Sequence, residues 1–345
     1  MIIRKKNNKK KSRNDIKYYF ILFLILITGI VLVYSSYAWF SSTLNVQIYG
    51  FNVRTKHDND LSISLNGIDW SHEVNITESS LVTNLKNTYP KHTNRWSKMM
   101  NTVSSAGMQN NNGTFSVFYN KKPLNRNAKG TNNNYIHPQL TEESTPSTDS
   151  EYFAFDIFIL NNTTSPHSDN LYIKNEKNLI IPETIDDEFI LNSMRFGMLY
   201  IGTVKKNSTV DEIQNINCLN GGCKQFIYEP STIHTDGTID FLKTKNINIK
   251  NDTEVPTYAV YNSGEGINLW SGVYKSKIPF NNGIFTYQNT IKNLDQPIFE
   301  LPSGISKFRV YVWVEGEDID IIQFKSPGYR LRFGINFEKD FAGYN

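Results

Sequence analysis

Cysteine, histidine and long apolar runs are all scarce in this chain of 345 residues, which has two cysteines and six histidines. The thiols stand as Cys218-Leu219-Asn220-Gly221-Gly222-Cys223. With no histidine beside them they make a poor zinc site, and the spacing is not that of a redox dithiol. None of His57, His72, His92, His137, His167 and His234 falls in H-E-x-x-H or another helical pair spacing. No G-x-S-x-G elbow, phosphate loop or dinucleotide fingerprint follows a strand. The usual signatures of hydrolases, metalloproteases and nucleotide-binding enzymes are therefore absent. The expectation is a protein that is not an enzyme and needs no cofactor. Helical periodicity is scarce as well: residues 78–86 and 185–193 are the two candidates, the second after Pro182 with Thr184 as N-cap. A single apolar run long enough to approach a bilayer's thickness excludes a polytopic membrane protein.

Aromatic residues are plentiful, at 13% in a chain whose mean hydropathy is −0.43, and this excludes wholesale disorder. The chain holds 42 asparagines. That enrichment also scatters sequons, at Asn75, Asn112, Asn161, Asn162, Asn207 and Asn251, at the density chance provides. The Asn-Gly and Gly-Gly dipeptides between the cysteines favour a tight turn. A hairpin closing there brings Cys218 and Cys223 opposite each other, and a disulfide between them suits an oxidising compartment.

The net charge of +3 conceals an asymmetry. Residues 1–17 carry eight basic side chains against Asp15 alone, whereas the remainder carries 28 basic against 32 acidic. The uncharged run 18–34, extended through Phe40, just reaches the roughly 20 residues that span a bilayer. Basic residues stay on the cytoplasmic side, so residues beyond 40 face outward, and Trp39 and Phe40 sit at the outer interface. The same stretch reads as a secretory signal, with the small-x-small triplet Ser36-Tyr37-Ala38 placing cleavage between Ala38 and Trp39. Anchor and cleaved signal both remain open, and both export the body. The expected organisation is a basic cytoplasmic tail (1–17), a transmembrane or signal helix (18–40) and an extracellular domain (41–345) with a low-complexity insertion at 101–150. Localisation is the plasma membrane as a single-pass protein, or secretion. A net-acidic body and a cytosolic basic arm argue against nucleic acid as a partner.

Period-two alternation dominates the body, and it marks half-buried strands. In 329–338, Tyr329, Leu331, Phe333, Ile335 and Phe337 share a face. In 307–315, Phe308, Val310, Val312 and Val314 face inward, and Lys307, Arg309, Tyr311, Trp313 and Glu315 face outward. Residues 152–160 are apolar on both faces, which predicts cover on both sides. Weaker strands are expected at 45–54, 61–65, 114–119, 171–173, 195–204, 224–228, 257–261 and 283–288. Many short strands without alternating helices indicate an all-β fold, an antiparallel sandwich with long insertions.

Two stretches carry a resemblance. Tyr37-Ala38-Trp39-Phe40-Ser41-Ser42, closing the apolar run, resembles the export segments of the TasA/camelysin group, biofilm-matrix and surface proteins of Gram-positive bacteria. Arg309-Val310-Tyr311-Val312-Trp313-Val314-Glu315-Gly316-Glu317-Asp318 is similar to a V-x-V-W-x-E-G-x-D strand in surface proteins carrying such signals. Residues 152–160 and 194–199 resemble the preceding strands of that group. The resemblance implies a jelly-roll-like sandwich and a structural role at the surface or in a matrix, through self-association or contacts with other surface proteins. The acidic residue common after the aromatics is missing at Ser41-Ser42. If cleavage occurs, residues 39–45 are freed beside a strand and able to add to a neighbour's sheet edge.

Two ligand sites stand as candidates. Glu315, Glu317, Asp318 and Asp320 gather hard oxygens suited to Ca²⁺, against the alternative of a charged sheet edge that discourages association. Tyr311 and Trp313, if exposed, offer a stacking face for sugars, against the alternative of packing beneath an insertion. A glycan- or ligand-binding surface module is thus the second functional reading, and a surface hydrolase a distant third.

Overall fold

The computed structural model describes residues 17–29, 46–55, 60–109, 115–119, 139–141, 144–163, 168–174, 179–183, 190–218, 223–228, 265–266, 276–277, 296–315 and 328–341. The chain divides into two units, Met1–Thr43 and Leu44–Asn345. In the first, residues 17–29 form helix α1, which exposes Phe20, Leu22 and Phe23. Among the described residues no helix is long and apolar enough to cross a membrane. Ala38 and Trp39 lie outside the described residues, as does the rest of the apolar run.

The second unit is all-β, built as two sheets with a shared core. Its strands are β1 (Val46–Thr55), β2 (Leu61–Ser64), β3 (Glu73–Ile76), β4 (Thr102–Gln109), β5 (Phe115–Tyr119), β6 (Gln139–Thr141), β7 (Phe153–Asn161) and β8 (Asp169–Ile173). They continue with β9 (Ile180–Pro182), β10 (Met194–Val204), β11 (Lys224–Tyr228), β12 (Glu265–Gly266), β13 (Ser276–Lys277), β14 (Phe299–Leu301), β15 (Gly304–Glu315) and β16 (Tyr329–Phe341). The first sheet runs β14-β8-β16-β1-β3, with β9 also on β16. The second centres on β15, flanked by β10 and then β11 on one side. On its other side β15 pairs with β7, itself paired to β2, and the end of β15 reaches β4, which continues to β5 and β6. The strands β12 and β13 pair only with each other.

Alternation explains the core. Leu331, Phe333, Ile335 and Phe337 of β16 point to the same interior as Phe153, Phe155, Ile157 and Ile159 of β7. Phe51 of β1 bridges the layers, stacked on Phe333 at 4.4 Å and edge-on to Phe155 at 5.0 Å. In β1 the inward set changes parity, from Val46 and Ile48 to Phe51, Val53 and Thr55. A bulge between Ile48 and Gly50 inserts the extra residue that causes this.

Two features differ from the sequence expectation. Two pairings are parallel, β1 with β16 and β15 with β4, in a set otherwise antiparallel. The segment 101–150, expected as an insertion with one strand at 114–119, contributes β4 and β6 as well as that strand, β5, to the second sheet. Residues 78–86 form a π-helical turn (Ser79–Thr83) followed by the short α2 (Leu85–Thr88). Of the expected helix at 185–193, residues 184–189 lie outside the described residues, and 190–192 form a 3₁₀ turn. The expected strands 257–261 and 283–288 also lie outside them.

The largest difference is on the outer face of β15. All twelve of its residues are buried. A short helix α3 (Val210–Gln214), capped by Thr209 and Glu212 in a reciprocal box, lies over this face together with the segment 85–97. Gln214 Nε2 fastens α3 to the carbonyls of Asn66 and Thr88, each at 2.7 Å. Beside them a second apolar cluster, which includes Leu199, Ile201, Ile216, Tyr311 and Trp313, fills the same outer side.

Candidate functional site

The cover over β15 has a physical consequence. Polar residues that alternation places on the outside of the sheet are held away from water and must find partners. Asp156 on β7 lies directly opposite Arg309 on β15. Arg309 Nη1 donates to Asp156 Oδ1 at 2.7 Å, and Tyr89 Oη donates to Oδ2 at 2.6 Å. Lys307 Nζ stands 3.4 Å from Oδ2. The remaining donors are used as well: Arg309 Nη2 bonds the Thr93 carbonyl at 3.0 Å, and Lys307 Nζ the Gln214 carbonyl at 3.1 Å. Asn94 links the cluster to the segment above it, accepting from the Asp156 backbone and donating to the Leu81 carbonyl.

Burial alone would push the Asp156 carboxyl up. The adjacent Lys307 and Arg309 charges, with hydrogen bonds from Tyr89 and Arg309, overcome this and hold it well below the usual carboxylate range. Burial, reinforced by the Asp156 charge, pushes the Tyr89 phenol far up, so it stays a donor. His92, 2% exposed, packs against the Tyr89 ring, and burial lowers its imidazole pKa despite the pull of Asp156. Chemically this is a fixed ion-pair network, with both carboxylate oxygens accepting strong donors.

A second buried polar cluster sits inside the core. Asn161 of β7, Asp169 of β8 and Lys339 of β16 meet there, the first two 0% and 2% exposed. Asn161 Nδ2 donates to Asp169 Oδ2 at 2.9 Å; Lys339 Nζ donates to the same oxygen at 3.1 Å and to Asn161 Oδ1 at 2.9 Å.

The candidates read from sequence fare as follows. Cys218 and Cys223 are joined in a disulfide with their Cα atoms 5.3 Å apart. Residues 219–222, the expected turn, lie outside the described residues. Glu315 is fully buried and accepts a hydrogen bond from Trp313 Nε1 at 3.0 Å, so it does not stand on a solvated sheet edge. Glu317, Asp318 and Asp320 lie outside the described residues. Among the described residues no group of three histidine, cysteine or carboxylate side chains is placed to hold a metal. Tyr311 and Trp313, 1% and 2% exposed, offer no sugar-stacking face. Trp313 lies instead against Gly197, where an added Cβ would come within 3.0 Å of its ring.

Sequence reasoning missed both polar clusters. The available signal was parity: Asn161 and Lys339 continue the inward-facing series of β7 and β16, where a soluble loop would not demand that register. No family model, curated protein sequence or solved structure matches this chain.

Proposed function

We propose that the chain is an exported protein of the cell surface or extracellular matrix that acts through protein–protein contacts and carries out no catalysis. It is delivered across the plasma membrane by its N-terminal segment and either stays anchored there or is released by cleavage after Ala38. The strands, which pass repeatedly between the two sheets, fit a jelly-roll-like course. The resemblance to the TasA/camelysin group points the same way.

The observation that carries this reading is the Cys218–Cys223 disulfide, since such bonds persist in oxidising compartments and are reduced in the cytosol. The basic arm followed by an apolar run supplies the route, and α1 presents the apolar surface a bilayer would cover. The ion-paired carboxylates and the burial on both faces of β15 suit a rigid scaffold rather than a reactive surface.

Thiol labelling of the native protein, combined with its N-terminal sequence, tests the proposal. The expected result is protein in the membrane or the medium, beginning near Met1 or at Trp39, whose cysteines label only after reduction. Recovery from the cytosol with both thiols free would overturn it.

A further inference from the structure

We propose that Lys339 and Asn161 are the two ends of an intramolecular isopeptide cross-link, which the folded chain forms by itself with Asp169 as its proton carrier. Three observations converge on this trio. The first is position. Asn161 follows Phe153, Phe155, Ile157 and Ile159 on the inward face of β7, and Asp169 precedes Leu171 and Ile173 on that of β8. Lys339 follows Leu331, Phe333, Ile335 and Phe337 on β16. All three occupy places where the pattern calls for an apolar side chain.

The second is burial. Asn161 and Asp169 are enclosed, and the Lys339 side chain is 12% exposed. An ion pair at such a place is a poor stabiliser, because desolvating two charges offsets most of their attraction. Asn161 is held in place by a further bond from Nδ2 to the Leu301 carbonyl at 3.2 Å. What it adds to the ion pair is an electrophilic carbon next to an amine.

The third is geometry. Lys339 Nζ lies 2.9 Å from Asn161 Oδ1, one bond from the carboxamide carbon, while Asp169 Oδ2 touches both Nζ (3.1 Å) and the leaving nitrogen Nδ2 (2.9 Å). The Thr163 backbone N–H donates to Oδ1 at 3.2 Å, where negative charge develops during attack. Among the described residues, a second lysine buried beside a carboxylate lacks these parts: Lys307 Nζ meets Asp156, a backbone carbonyl and the ring faces of Tyr89 and Phe158.

The chemistry is a transamidation. Lys339 Nζ passes a proton to Asp169 Oδ2, 3.1 Å away. The free amine adds to Asn161 Cγ, forming the Nζ–Cγ bond and placing charge on Oδ1. As the adduct collapses, the Cγ–Nδ2 bond breaks. Nζ loses two protons in all: one completes the departing ammonia, and the other, held on Asp169, leaves with it as ammonium. Asp169 is restored as a carboxylate, and no electron is gained or lost. The product ties β16 of one sheet to β7 of the other across 178 positions of sequence.

Mass spectrometry of the reduced, denatured full chain tests this. The expected mass is about 17 Da below that calculated from the sequence, the loss of one ammonia. After proteolysis the segments containing Asn161 and Lys339 should travel as one branched fragment. Lys339→Arg and Asp169→Ala should each restore the calculated mass and separate the two segments. Folded wild-type protein of full calculated mass would overturn the proposal. So would a 17 Da deficit that maps to an Asn-Gly succinimide, with the segments separate. A branched fragment persisting in Asp169→Ala would overturn the role of Asp169. If the variants do not fold, the wild-type fragment decides alone.

Discussion

Asp156 and Arg309 face each other on adjacent strands, beneath a cover that excludes water. Removing one partner leaves a buried charge without compensation, so Asp156→Ala should destabilise the protein by about 3–5 kcal/mol in urea titrations. The double variant Asp156→Leu/Arg309→Met should lose less than that single change, because one uncompensated buried cation, Lys307, remains instead of two. The same cluster sets a pH dependence. The folded His92 imidazole resists protonation, whereas the unfolded one binds a proton near its ordinary value of 6.5. Stability should therefore be level above about pH 7 and fall as pH drops below the ordinary histidine range. Asp156 adds a further loss below its ordinary 3.8, where the unfolded carboxyl takes a proton that the folded one refuses. Denaturation midpoints measured from about pH 8 to about pH 2.5 check both limbs, and His92→Gln should flatten the upper one. Little of the cluster was legible beforehand. Alternation reports which side of a sheet a residue occupies. It does not report what covers that side, and Lys307 and Arg309 read as solvent-facing until α3 and the segment over it are placed.

Elements were legible in proportion to the regularity of their alternation. The strands β15 and β16 announce themselves because their inward apolar residues keep one parity along most of their length, and β7 because it is apolar on both faces. In β1 the bulge at Ile48/Gly50 switches parity midway, which weakens the pattern in a strand paired on both sides. The strand β4, with the sequence TVSSAGMQ, is recruited by backbone pairing to β5 and has no apolar stripe to display. Glycines separate along the same lines. Gly304, which opens β15, has φ +127°, and an added Cβ would collide with the Val204 carbonyl oxygen. Gly50, at the bulge, has open space in that direction. Gly304→Ala should cost about 1–3 kcal/mol in thermal or chemical melts, and Gly50→Ala should stay within about 0.5 kcal/mol of the parent.

At the scale of the molecule, strand content and two-sidedness could be read from sequence, whereas pairing partners could not. Antiparallel neighbours were the natural expectation for short strands joined by turns. The parallel pairing of β1 with β16 joins segments nearly three hundred residues apart, and no local pattern encodes it. That pairing has a mechanical consequence. A pull entering ahead of Val46 and leaving beyond Phe341 drags the two strands lengthwise past each other. Their nine registered positions, from Val46 with Tyr329 to Thr55 with Phe337, bear the tension together instead of unzipping in turn. Resistance to such a pull is governed by the rate of rupture rather than by equilibrium stability, and shear geometry slows that rate.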